Sequence, residues 1–379
     1  MYKTISLYVH IPFCVQKCNY CDFLSFPSEE EVQKAYVEGL IKEIKMYSRS
    51  GKYRLASLYF GGGTPSLLSE ESFSNIFSAL KDGFMFAEDA EITVEVNPGT
   101  LFANKANHLA KLGVNRISLG VQSIHDDELS VMGRIHKAED VCTAVDFIKK
   151  AGITNYSFDL IAGLPNQNVQ KLLYSIERAI LLEPKHISLY GLKIEEGTKW
   201  EKIFKEGKLP LPSEDSTADM MADAIKLLAK RGYQRYEISN YSLKGFQSRH
   251  NMCYWLNNEY LGIGLGSSSF LKHERFSNER DLKKYLHIIK NDEFPIDDRE
   301  KITADIEQAE TMFLGLRLVE GVERATFKKR FGKEIVDIFG PQLKKHTSLG
   351  LLEVLATHVI LTKRGLDLAN EVMQDFISS

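Results

Sequence analysis

Three cysteines, Cys14, Cys18 and Cys21, stand within eight residues near the start of the chain. Thiolates so close together are metal ligands, redox partners or packing residues. Structural zinc takes four ligands, usually as two separated pairs. Here the other cysteines, Cys142 and Cys253, are distant, and no Cys or His pair follows nearby. Disulfide exchange of the thioredoxin kind needs two cysteines rather than three. Three thiolates suit a [4Fe–4S] cube that leaves one iron open to a small molecule, since a cube held wholly by protein uses four. Cys142, beside Val141 and Val145 on a predicted helix, reads as a buried small hydrophobe.

The elements that must position these thiols follow a βα rhythm. Six short runs rich in Val, Ile, Leu, Tyr and Phe read as buried strands: 4–10, 54–60, 91–97, 115–121, 154–161 and 186–192. Helical patterns separate them. Val32, Tyr36, Leu40, Ile44 and Tyr47 mark one face of a helix over 28–47, with Ser28 and Glu31 as a capping box. A second helix spans about 138–150 and stops at Gly152. Such alternation implies an α/β fold with a parallel sheet, either an open doubly wound sheet or a partial βα barrel. In both, ligands bind at the C-terminal ends of the strands. Those ends carry the cysteine loop, Gly61-Gly62-Gly63-Thr64-Pro65, Glu95-Val96-Asn97-Pro98, Gly120-Val121-Gln122-Ser123, and Asp159 with Gly163-Leu164-Pro165. One rim with so many unusual ends predicts one shared site.

At 379 residues the chain is long enough for two or three domains and a sizeable core. Its 48 basic and 51 acidic residues sum to −3, which argues against a nucleic-acid binder that works through bulk positive charge. No apolar run is long enough for a transmembrane helix, and the first ten residues alternate like a strand rather than a signal peptide. The odd, clustered cysteines do not make a secreted disulfide framework. A cytoplasmic protein that is not integral to a membrane is expected.

Beyond about residue 193 the pattern changes. A helix is predicted over 213–231, a strand over 236–239, and a close-packed Gly/Ser loop over 258–270. From about 300, helices at 303–317 and 323–332, a hairpin of 351–354 with 358–361, and a terminal helix to Phe376 suggest a small winged-helix-like module. The expected division is a barrel with the cluster and cofactor site over 1–235, a connecting region over 236–300, and the C-terminal module over 301–379.

A Cx3Cx2C loop directly after the first strand, with an aromatic (Tyr20) before the last cysteine, resembles the signature of the radical S-adenosylmethionine (SAM) superfamily. That resemblance implies a partial (β/α)6 barrel, in which the amino and carboxylate groups of SAM chelate the open iron and an electron from the cluster cleaves the sulfonium. It implies that Gly62, Gly63 and Thr64 lie against the methionine moiety, and that Tyr8, Tyr20, Glu95, Gln122, Arg134 and Asp159 belong to the same cofactor site.

The motifs HIPFC, FGGGTPS, EVNP, SLGVQS and DLIAGLP resemble, more narrowly, the oxygen-independent coproporphyrinogen III oxidase group. Two features differ from the oxidases themselves. Phe23 stands where they carry a further cysteine, and only 13 residues precede Cys14, where they have an extended N-terminal region. His250-Asn251-Met252-Cys253-Tyr254-Trp255 is similar to the HNxxYW motif of the haem-chaperone relatives of those oxidases. This implies haem as cargo, with His250, Tyr254 and Trp255 at its site and Cys253 as a rival ligand. It also implies haem-accepting partners among membrane respiratory proteins, and an electron donor. Imidazole is a common axial ligand of haem iron, and aromatic rings can stack on a porphyrin. Arg249 is placed to pair with a propionate. The alternative is a porphyrinogen-decarboxylating oxidase.

Overall fold

The computed structural model describes residues 2–377. The sheet is built on β1 (Lys3–Ile11), β2 (Tyr53–Gly62), β3 (Met85–Val96), β4 (Arg116–Gln122), β5 (Asn155–Ala162) and β6 (His186–Gly191), which neighbour one another in sequence order. Every pair among them is parallel. The crossovers are α1 (Glu30–Ser50), α2 (Glu70–Gly83), α3 (Ala103–Leu112), α4 (Asp126–Met132) with α5 (Ala138–Lys150), and α6 (Val169–Ile180). The result is a partial (β/α)6 barrel.

The strands alternate strictly in chemistry. Leu7, Val9, Leu58, Phe60, Val94, Ile117, Leu119, Phe158, Leu160, Ile187 and Leu189 join one apolar core beneath the helices. The residues between them are polar and hydrogen-bond across the opposite face. Ser57 donates to Ser6 (2.8 Å), Arg116 to Ser157 (3.0 Å), and Ser157 to Ser118 (2.9 Å). A period of two thus buries apolar groups on one face and leaves a polar lumen on the other.

Residues 236–300, expected as a connecting region, contribute strands to the same sheet. After α7 (Lys199–Lys205) and α8 (Glu214–Lys230), β7 (Gln234–Arg235) and β8 (Asn240–Ser242) pair antiparallel beside β6. The predicted strand over 236–239 is instead the turn between them, held by Glu237, whose carboxylate accepts from the Ser239 N–H (2.8 Å) and the Asn240 side chain. The predicted loop over 258–270 holds two strands, β9 (Tyr260–Ile263) and β10 (Ser268–Leu271), on the other edge. Its glycines serve close packing: a Cβ on Gly262 would lie 2.2 Å from the Ser268 carbonyl oxygen. Between the two edges lies α9 (Arg249–Trp255), followed later by β11 (Glu274–Asn278), α10 (Leu282–Lys290) and β12 (Ile296–Lys301).

The C-terminal module has its own core around Met312, Phe327, Phe339, Val359 and Phe376. It comprises α11 (Ala304–Gly315), β13 (Val322–Glu323), α12 (Arg324–Phe331), α13 (Ile335–Ser348), β14 (Leu352–Val354), β15 (His358–Leu361), α14 (Lys363–Asp367) and α15 (Ala369–Ile377). The wing has three strands rather than the expected two, because Val322 pairs with Val359. Helix α13 is interrupted at Phe339 (φ −109°, ψ 24°) just before Gly340-Pro341, which hides it from a periodicity search.

Two local expectations are corrected. The capping box at Ser28 does not form: α1 is capped at Glu29 with no side-chain hydrogen bond, and Glu30 and Glu31 face its N-terminal dipole. Cys142 is exposed rather than buried. It lies about 100° round α5 from Val141, outside the face that buries Val141, Ala144, Val145 and Ile148. Among the described residues no helix is long and apolar enough to cross a membrane.

Glu43 is the most demanding buried charge of the core. Its carboxylate, on α1, accepts from Gly264 N–H (2.9 Å), Asn278 (2.7 Å) and the Tyr285 hydroxyl (2.7 Å), tying that helix to the β9–β12 edge. Burial nevertheless pushes its pKa up to about 7, against those three donors. The native state therefore binds this proton more tightly than the unfolded chain does. Stability should fall as pH rises from about 4.5 towards 7, by on the order of 3 kcal/mol from this group. In urea denaturation at pH 5 and pH 7.5, Glu43→Gln should lose much of that slope; an unchanged slope refutes the assignment.

Candidate functional site

The cysteine loop is fastened at both ends. Phe13 packs edge-on against Phe26 (5.9 Å) and Tyr36 (5.3 Å), and the Cys14 N–H donates to the Phe26 carbonyl (3.1 Å). The middle of the loop is tied to the end of α4. Asn19 donates to Val131 (2.8 Å) and Gln16 to Gly133 (2.7 Å). Tyr20 leans on buried Trp200 at 5.7 Å.

The turn after β2 meets this loop backbone to backbone. Gly63 N–H donates to the Ile11 carbonyl (2.8 Å) and Thr64 N–H to the Phe13 carbonyl (2.7 Å). Here bare backbone is required by the protein itself. A Cβ on Gly63 would fall 2.5 Å from the Phe13 oxygen, and one on Gly62, at φ +110°, would fall 2.4 Å from the His10 ring. The Thr64 hydroxyl reaches the Cys14 sulfur at 3.5 Å.

A cavity of about 390 Å³ opens at this rim. Cys14, Cys18 and Cys21 line it, with Tyr20, Gly62, Gly63, Thr64, Glu95, Gln122, Arg134 and Asp159. These sequence-predicted residues, from the ends of β2 to β5 and the intervening loops, are thus brought to one place. Arg134 approaches the Cys18 sulfur (3.7 Å) while donating to the Gly120 carbonyl (2.6 Å). Gln122 ends β4 at φ +66°, a left-handed conformation that turns the chain away from the strand at the cavity edge.

Two carboxylates share the floor. Glu95 accepts from the Tyr59 hydroxyl (2.7 Å) and the Gly62 N–H (3.2 Å), and burial with nearby Asp159 pushes its pKa up to about 7. Asp159 accepts from Ser118 (3.2 Å) and is likewise raised by burial, although Arg116 and Arg134 oppose the rise. Acceptors of this kind suit a cationic, hydrogen-bond-donating ligand, and the thiols above them suit an iron–sulfur cluster. Among the described residues no three His, Cys, Asp or Glu side chains converge closely enough for a single metal ion. A cluster makes a different demand, because each thiolate takes a separate iron.

Tyr8, His250, Tyr254 and Trp255 do not line this cavity. Tyr8 lies one layer deeper, stacked on Tyr59 at 6.2 Å and bonded to His10 (3.0 Å). His250, 1% exposed, sits in the lumen below Tyr59, with Nδ1 bonded to Ser57 (2.9 Å) and Nε2 to the Tyr254 hydroxyl (2.9 Å). Both ring nitrogens are engaged in this structure, and burial holds the imidazole pKa down at about 3, so His250 is neutral here. Tyr254 packs edge-on against Tyr260 at 4.6 Å. Trp255 lies under the Arg317 guanidinium at 4.3 Å, against the C-terminal module. Both rings of the expected porphyrin platform thus have protein partners in this structure. Arg249 pairs with Asp89 (2.9 Å).

Several lining residues escaped the sequence reading: Arg116, Ser118, Ser188, Tyr190 and Asn251. The first four were findable by counting in twos. Arg116, Ser118, Gly120 and Gln122 alternate along β4, as Ser188 and Tyr190 do along β6. Asn251 rises from α9, which no strand pattern points to.

Fold and site together define a radical SAM protein, and the model of the Radical SAM superfamily matches residues 8–179. The HemN C-terminal domain model matches residues 303–368. The heme chaperone HemW of Bacillus subtilis is 35% identical over 98% of this chain and 99% of its own. That of Escherichia coli is 33% identical over 99% and 98%. In structure, the coproporphyrinogen III oxidase HemN of Escherichia coli superposes with a TM-score of 0.87 at 24% identity, covering 99% of this chain and 90% of that one. Within the radical SAM superfamily, the chain belongs to the HemW family.

The close approach of loop and turn gives a direct test. Gly63→Ala should cost about 1–3 kcal/mol by overpacking, and should lower iron uptake on reconstitution because Phe13 precedes Cys14. Denaturation and iron analysis measure both; wild-type stability would show that the turn has slack.

Proposed function

We propose that this chain is a haem chaperone that carries a [4Fe–4S] cluster on Cys14, Cys18 and Cys21 and binds SAM beside it. In this reading it hands haem to acceptor proteins, with respiratory haem proteins of the membrane as the intended recipients, and takes electrons from a separate donor. The observation that carries the reading is the rim cavity, where three thiols and two half-buried carboxylates meet in a chain of the HemW family. A cytoplasmic setting fits the reduced, clustered cysteines.

When bound, the cluster and SAM supply one-electron chemistry. The protein's own groups position and insulate them. The backbone ties from Gly63 and Thr64 fix the cysteine loop, and Arg134 lays a positive charge beside Cys18. Glu95 and Asp159 offer acceptors to the amino and hydroxyl groups of SAM. With its carboxyl near pH 7, Glu95 accepts best once deprotonated, so SAM affinity should rise through that pH. Phe23, exposed at the cavity mouth, occupies the place where the oxidases carry a further cysteine, which favours the chaperone reading over porphyrinogen oxidation.

Anaerobic reconstitution tests the cluster. Cys18→Ala should lose most iron, sulfide and visible absorbance, whereas Cys142→Ala should keep them; full iron in Cys18→Ala refutes the ligand set. Haem and coproporphyrinogen III offered side by side, with SAM and a reductant, separate the two functions. Haem binding without protoporphyrinogen IX formation is expected. Conversion of the porphyrinogen would transfer the chain to the oxidases.

A further inference from the structure

The 390 Å³ rim cavity lies at the small end of ligand pockets, which span roughly 300–1,000 Å³. The chaperone reading assigns this cavity to the cluster and SAM, and a larger cleft elsewhere is the better place for a porphyrin. A second cleft, of about 1160 Å³, opens at the opposite end of the barrel, between the first residues of β1, helix α9, the β10–β11 hairpin, and α11 and α12 of the C-terminal module. Its walls include Ile5, Met252, Leu256, Phe270 and Phe331. Of its charged lining residues, Lys3 pairs with Glu259, Arg249 with Asp89 and Arg330 with Glu307, which leaves Lys301 as the cation open to an anionic group of a ligand. Lys301 has no ion pair among the described residues.

One imidazole on this cleft is set up as a metal ligand. His273 Nδ1 donates to Glu307 Oε2 at 2.7 Å, leaving Nε2 without a protein partner among the described residues. Glu307 is itself buried and locked by Arg330 (2.8 Å). A carboxylate behind one ring nitrogen, with the other free, is the arrangement that orients ligating histidines and raises their basicity. The backbone adds a second mark. Lys272 (φ +55°) and His273 (φ +61°) fill both left-handed positions of the two-residue turn, where Asn-Gly is the easy choice. Cys253 also lines the cleft, but its thiol is directed at the carbonyls of Asn258 (3.8 Å) and Glu259 (3.6 Å).

We propose that haem docks in this cleft with His273 Nε2 as axial ligand and Lys301 at a propionate. The proposal rests on the chaperone reading. Helix α9 then serves haem through Met252 and Leu256, on the side away from His250.

Titration of the full-length, cluster-reconstituted protein with ferric haem tests it. His273→Gly relieves the strained turn and so should fold. It should shift the Soret band and weaken haem at least tenfold, with added imidazole restoring the spectrum. Ala304→Trp, at an exposed cleft position, should reduce haem affinity while sparing iron content and SAM binding. Cys253→Ser should leave the Soret band alone. A wild-type Soret band and affinity in His273→Gly overturn the ligand, and unchanged affinity in Ala304→Trp overturns the site, with the chaperone reading intact in both cases. No haem binding by the wild-type protein overturns that reading itself.

Discussion

The alternation of the parallel strands is the constraint from which the rest of the architecture follows. Apolar residues on one face build the core under the helices, so the other face is left to polar side chains inside the lumen. Buried polar groups are tolerated only when they find partners. The lumen accordingly fills with short ladders: Arg116 to Ser157 to Ser118 to Asp159, and Ser6 to Ser57 to His250 to Tyr254. The first ladder holds Asp159 in place beneath the cysteine loop, and Tyr59 and the Gly62 N–H hold Glu95 beside it. A carboxylate pair in an unsupported lumen would be driven neutral by desolvation; here the donors from Tyr59, Gly62 and Ser118 partly offset that cost.

The cysteine loop adds a steric demand to this electrostatic one. Three thiols can share one cavity only if their loop is pressed against the turn that follows β2. The two backbone hydrogen bonds from Gly63 and Thr64 do that, at a separation that leaves no room for a Cβ on Gly63. The glycine motif therefore serves the protein's own packing first and the ligand second. Stability and cofactor loading are coupled at this turn, because a residue too large for it moves Phe13 and, with it, Cys14.

Most of the rim was legible in the sequence, because spacing and strand position fix it. Three cysteines after the first strand, the glycine turn after the second and an acid at the end of the third land where a parallel sheet must put them. The inward polar residues of β4 and β6 were equally accessible to a count in twos. Other features were not, for physical reasons. The Gly/Ser stretch over 258–270 resembles a loop in composition, yet tertiary pairing with β1 makes it two strands. Helix α13 carries its own breaker in Gly340-Pro341. Cys142 has apolar neighbours in sequence but not on its side of α5. The haem role of the 250–255 motif came from its resemblance to the HNxxYW motif rather than from the residues themselves, and only the fold shows both nitrogens of the histidine engaged.

That motif makes best sense as the floor of the barrel. A seven-residue helix has little stability of its own, and α9 is held from outside. The Glu91 carboxylate, on β3, accepts from the N–H groups of both Arg249 (3.1 Å) and His250 (3.0 Å), and Ser248 caps Asn251. A negative charge at a helix N-terminus satisfies two otherwise orphaned donors and favours the dipole. Tyr254 and Trp255 then brace the helix against Tyr260 and Arg317. With its position set by His250 inside the lumen, α9 presents Asn251 upward to the cofactor cavity and Met252, Cys253 and Leu256 downward to the cleft. Buried His250 and Cys253 fix the height and rotation of the helix, so that Asn251 and Met252 line cavities on its opposite sides.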